Sequence, residues 1–184
     1  PFLEISAFMS LDFSVSETIE MLKFFIVSFF LQSIFMLILY LILRRKYSES
    51  KYRLLTIASV LGNVGFFGMP ITRALLPDNP EVACYCAVNM VTMNILIFTV
   101  GVFCLTNDKK YISVKSALFN PTIFGFVIAL PFYVFGIKNI LPDTFIGAIN
   151  TIADISTPLC MFILGIRLAS VKLKSVFSKP IVYI

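Results

Sequence analysis

Apolar residues in this chain come in long runs separated by short charged stretches, not at the amphipathic spacing of a water-soluble fold. Phe24–Leu43 carries no charge between Lys23 and Arg44. Its twenty residues, at about 1.5 Å each, reach roughly 30 Å, the thickness of one hydrocarbon core. The same reading predicts membrane-spanning helices over 24–43, 54–75, 82–107, 116–137 and 144–166, the third of these apolar runs being free of charge from Val82 on. Residues 1–11 are too short to cross and read as the last half of a helix, and 180–184 as the start of another. The predicted organisation is a single transmembrane domain over 1–184, an all-α membrane protein built as a polytopic helix bundle.

The second of these runs contains a break. Gly62-Asn63-Val64-Gly65-Phe66-Phe67-Gly68-Met69-Pro70 places three glycines, an asparagine and a proline at mid-bilayer depth. No water is there to satisfy the freed amides and carbonyls, so a break survives only where it is buried in protein or lines a polar cavity. In secondary transporters such a break commonly marks the substrate or ion site. The expected halves are Leu54 to about Leu61 and about Met69 to Leu75. Turn residues bound the spans: Leu76-Pro77-Asp78-Asn79-Pro80 and Leu141-Pro142-Asp143 read as tight turns, and Asn120-Pro121 as a helix start.

Composition agrees with the run pattern. The chain is 59% hydrophobic and 14% charged, with a mean hydropathy of +0.94, whereas soluble domains carry about a quarter charged residues. A net charge of +5 is no sign of nucleic-acid binding, because the basic residues sit in short loops between apolar runs. Twelve of the 15 basic residues fall in alternate loops: Arg44, Arg45, Lys46, Lys51 and Arg53, then Lys109, Lys110 and Lys115, then Arg167, Lys172, Lys174 and Lys179. The positive-inside rule makes loops 44–53, 107–116 and 167–179 cytoplasmic. The chain opens with Pro1 rather than Met, and no basic stretch precedes its first apolar run, so it is expected to be a piece of something longer, without a visible signal peptide.

Few residues offer chemistry. Cys84, Cys86, Cys104 and Cys160 lie inside apolar runs, and no histidine exists to complete a metal site. There is no Ser/His or Cys/His pair and no phosphate loop, so neither a hydrolase nor an ATP-driven motor is encoded, and no cofactor is expected. The break is the strongest candidate. A second half-helix presenting unpaired amides to the midplane is an anion site that needs no buried cation, with Pro70 suited to its first turn. Asn63 offers a donor and an acceptor at the gap. Alternatively, Gly62, Gly65 and Gly68 form a small-residue packing face with a proline kink. In the next span, Asn89 and Asn94 are five apart, about 140° around a helix, so they do not share a face; each is also explained by bonding to a neighbouring helix. Asp154 is the one acid deep inside a complete span, with Glu4 its rival near the start. It is a candidate coupling residue, or the occupant of a water-filled vestibule.

These residues resemble a known family. Leu61 through Pro70 is similar to the GN-x-G-F-x-G-x-P signature of the auxin efflux carrier family. Asn89-Met90-Val91-Thr92-Met93-Asn94, with Phe98 and Gly101, resembles that family's next helix, and Ser156-Thr157-Pro158 through Ala169 its seventh. The resemblance implies ten helices in two inverted five-helix repeats, crossing at broken helices four and nine. This chain would run from the end of helix two into helix eight, so one arm of the crossover lies outside it. It further implies substrate contacts from Asn63, Gly65, Phe66, Gly68 and Pro70 with Asn94 beside them, and Asn89 and Asp154 in secondary roles. Helices three to five would move against a scaffold of two, six and seven, through which relatives form homodimers. The expected function is export of a small organic anion from the cell, by alternating access at a plasma membrane. A non-transporting membrane sensor or structural subunit, or half of a split transporter, is the alternative.

Overall fold

The computed structural model describes residues 1–106, 110 and 119–169, and among these it is helical throughout, with no strand. Expectations for 107–109, 111–118 and 170–184, including the last partial span and most of two basic loops, lie outside the described residues.

Helix α1 (Phe2–Met9) is short, yet every residue from Leu3 to Met9 is buried. It lies against three helices: α5 (Glu81–Leu96), α7 (Pro121–Val134) and α8 (Asp143–Ala169). Phe8 meets the edges of Phe126 and Tyr133 at ring-centroid distances of 5.4 and 5.8 Å. The Cys84 thiol donates to the Ala7 carbonyl at 3.1 Å. A Cβ on Gly125 would run into Pro1, so α1 and α7 approach closely where glycine allows it. Glu4 is buried in this core.

Helix α2 (Val15–Leu43) contrasts with α1. No Gly or Pro interrupts its 29 residues, and Ser14 caps it by accepting from the Glu17 amide. Only Met21, Ser28 and Met36 are buried, while Ile26, Val27, Phe30, Ile34, Leu37 and Leu41 are exposed. A helix apolar on all sides but packed along one seam is what lipid contact requires. The seam lies against α5. A one-turn 3-10 segment, Arg44–Lys46, then turns the chain into α3 (Ser50–Ala58).

The sequence predicted five full spans. Three helical stretches are long and apolar enough to cross a membrane: Val15–Lys46, Glu81–Thr106 and Asp143–Ile166. The second comprises α5, a π turn at Ile97–Gly101 and α6 (Val102–Thr106). Within the expected span 116–137, the described helix is the 14-residue α7, about 21 Å long. Its limits have local causes. Asn120 caps its start by accepting from the Thr122 amide at 2.8 Å, and Gly136 ends the following turn at φ +58°, a left-handed conformation natural to glycine. The remaining run, 54–75, is not one helix.

Candidate functional site

Helix α3 stops at Ala58. The amides of Ser59, Val60 and Leu61 fold back onto the carbonyls of Leu55 and Ile57, closing its last turn. Leu61–Asn63 have no regular structure; a π turn then runs from Val64 to Gly68, and α4 follows from Met69 to Leu75. The Gly68 amide donates to the Asn63 carbonyl at 3.0 Å, the five-residue reach of a widened turn. Gly68 itself has helical angles, so the turn feeds directly into α4. The second α-helical half, Met69–Leu75, has the expected bounds, and the π turn over Val64–Gly68 is added ahead of it. Pro70 supplies a reason: its ring crowds the carbonyl four residues earlier and it has no N–H to donate, and a wider turn ahead of it relieves both problems.

The three glycines of this segment have different surroundings. A Cβ on Gly65 would lie 2.5 Å from Met90 Cε and 2.8 Å from its sulfur, so Gly65 is the point where the turn presses on α5. Among the described residues, nothing lies within 4 Å of such an atom at Gly62, and at Gly68 only ordinary contacts occur. Asn63 is exposed beside the open Gly62. Phe66 contributes its backbone to the turn, and its side chain lies outside the described features. The π turn also packs on α8, and Thr72 in α4 meets the Cys86 sulfur of α5 at 3.5 Å. The break is thus held between α5 and α8.

The asparagines of α5 are engaged on two different sides. Asn89 Oδ1 accepts from the Ser28 hydroxyl and from Gln32 Nε2, each at 2.7 Å, and so bonds α5 to α2. Asn94 Nδ2 donates to the Met90 carbonyl at 2.8 Å, and its Oδ1 accepts from Asn120 Nδ2 at 3.1 Å. Because Asn120 also caps α7, a chain of amides runs from α5 into the start of α7. Asn94 belongs to the same turn of α5 as Met90, the residue against Gly65. Asp154 is remote from these groups in kind: it is exposed on α8 and lines a polar cleft with Arg73, Asn150 and Ser6. Sequence reasoning took Asn120 only as a helix start and did not single out Ser28 or Gln32. Their i, i+4 spacing on α2 was a usable signal for a polar seam. Among the described residues, no cluster of His, Cys, Asp and Glu could hold a metal ion.

Long apolar helices with intramembrane polar bonds and an interrupted segment between them define a multi-pass integral membrane protein. The family described as membrane transport protein matches residues 6–116. An uncharacterized transporter of Methanocaldococcus jannaschii is 30% identical over 171 residues, covering 90% of this chain and 55% of the relative. The chain belongs to this membrane transport family, of the auxin efflux carrier type. It spans about half the length of the curated relative it matches. No solved structure matches it.

Proposed function

We propose that this chain is the central part of a secondary transporter that exports a small organic anion, a carboxylate in the simplest case, by alternating access. The observation that carries the reading is the main-chain interruption at Leu61–Asn63, followed by the π turn, with Asn63 exposed beside Gly62, around which the described residues leave open space. The Val64 amide donates to the Gly62 carbonyl and the Gly68 amide to the Asn63 carbonyl. The amides of Gly65, Phe66 and Phe67 would be the donors to an anion in the gap, which would also gain from the helix dipole. Gly65 and Pro70 shape that turn, and Asn94 stands one turn along from the Met90 contact. Family membership supports transport as the activity.

In this proposal the whole protein has ten helices in two inverted repeats and a second broken helix crosses the one described. The loops at 44–53, 107–116 and 167–179 face the cytoplasm of a plasma-membrane homodimer. Helices α2 to α6 would form the moving part and α1, α7 and α8 the scaffold. Within the parts, α1 lies on α7 and α8, while α2 lies on α5 and α3 on α2 and α6; the two parts would meet where α5 packs on α1 and α7. The test is carboxylate flux into liposomes carrying the full-length protein. Asn63→Ala should abolish flux while expression and thermal stability persist. Undiminished flux would place the site elsewhere.

A further inference from the structure

A cleft of about 450 Å³ opens between the C-terminal end of α1, the end of α4 with its following turn, and α8. It is separate from the Gly62–Pro70 break. Two opposite charges line it from different helices: Arg73 on α4, half-buried, and Asp154 on α8. Neither takes part in an ion pair among the described residues, although both border one cavity. Asn150 lies one turn before Asp154 on the same face of α8. Its Oδ1 is taken by the Ser6 hydroxyl at 2.9 Å, while its N–H groups have no hydrogen-bond partner among the described residues. Met9, Leu76 and Ile146 supply an apolar wall.

We propose that this cleft binds a small aliphatic amino acid in its zwitterionic form. The ligand's carboxylate would sit on the Arg73 guanidinium, whose planar fork suits two parallel hydrogen bonds, and its ammonium on Asp154. The amide hydrogens of Asn150, on the same wall of the cleft, would be further donors to the carboxylate. The aliphatic side chain lies against Met9, Leu76 and Ile146, leaving their burial as the remaining contribution. A simple carboxylate would satisfy Arg73 but face Asp154, a like charge, and a simple amine would satisfy Asp154 but face Arg73. Only a ligand with both charges is complementary to both walls. The site stands on residues outside the break, so it does not depend on the transport reading.

The experiment is equilibrium binding of radiolabelled alanine, valine and leucine to the full-length protein in nanodiscs. Alanine and valine set the preference for side-chain size; leucine should bind saturably and be competed by unlabelled leucine. Its two single-charge analogues, 4-methylpentanoate and 3-methylbutylamine, should each compete about tenfold more weakly or worse. Arg73→Gln and Asp154→Asn should each weaken binding by about tenfold or more, and Arg73→Lys should only partly restore it. Asn63→Ala should leave binding intact, which separates this site from the proposed transport site. Absence of saturable leucine binding overturns the proposal. So does an analogue that competes as well as leucine, a measurement made on the unaltered protein and independent of how the variants fold.

Discussion

Helix α5 and the interrupted segment touch at Met90 and Gly65, yet they handle polarity in opposite ways. On α5 the polar side chains close on partners inside the protein: Asn89 on Ser28 and Gln32, Thr92 on the Val88 carbonyl, Asn94 on Met90 and Asn120. In the segment from Gly62 to Gly68 it is the main chain that departs from α-helical bonding, and among the described residues the space beside Gly62 is open. Polar side chains in a membrane helix are therefore weak pointers to a ligand site, because a neighbouring helix can consume them. A main-chain interruption is a stronger pointer, since its groups cannot all be consumed by the helix they have left.

The contrast breaks most readily at the glycines. Gly65→Val would thrust methyl groups into Met90, and overpacking of this kind costs about 1–3 kcal/mol. Because Met90 meets it with the flexible end of its side chain, Met90→Ala in the same protein should recover most of that loss. Gly62→Val, which meets nothing within 4 Å among the described residues, should cost less than Gly65→Val. Thermal unfolding of the full-length protein in detergent measures all three. Equal losses at Gly62 and Gly65 would erase the distinction between the packed and the open side of the turn.

A smaller effect is expected at Asn89. Asn89→Ala removes the acceptor shared by Ser28 and Gln32 and should cost about 1–2 kcal/mol, the range of interhelical hydrogen bonds in membranes. Carboxylate flux per folded molecule should be unchanged. A flux loss matching that of Asn63→Ala would move Asn89 from the packing class into the site.

Much of this was legible in the sequence, and the parts that were not share a cause. Apolar run length located α2, α5 and α8, because crossing a hydrocarbon layer imposes a length and disfavours charge, of which the run behind α8 carries one, Asp154. Pro70 and the glycines located the interruption, because backbone constraints are local. The second α-helical half starts at the expected Met69, but the π turn ahead of it was not legible, since the sequence signal is the proline while the structural response is a wider turn before it. The partners of Asn94 and Asn89 were not legible: whether an amide meets Asn120, Ser28 or a ligand depends on helix rotation and packing, and 140° of separation only excludes a shared face. Arg73 and Asp154 lie far apart in sequence, and their common cleft exists only once α4 and α8 are placed.

Tyr47 extends the comparison to the elbow between α2 and α3, where a polar group is again consumed internally. Its ring is buried and meets Tyr40 edge-on at 4.9 Å, and its hydroxyl donates to Thr56 Oγ1 at 2.9 Å. Burial pushes the phenol from its ordinary 10 up to about 12. A folded-state value above the unfolded one means the contribution is complete below pH 10 and fades as pH rises toward about 12, where the unfolded chain has already released the proton. Tyr47→Phe keeps the ring packing, leaves Thr56 bonded to the Tyr52 carbonyl, and should cost about 1 kcal/mol at neutral pH. The same change should flatten the loss of thermal stability between pH 10 and 12. An undiminished alkaline loss in the Phe variant would assign it to another group and leave Tyr47 with packing alone.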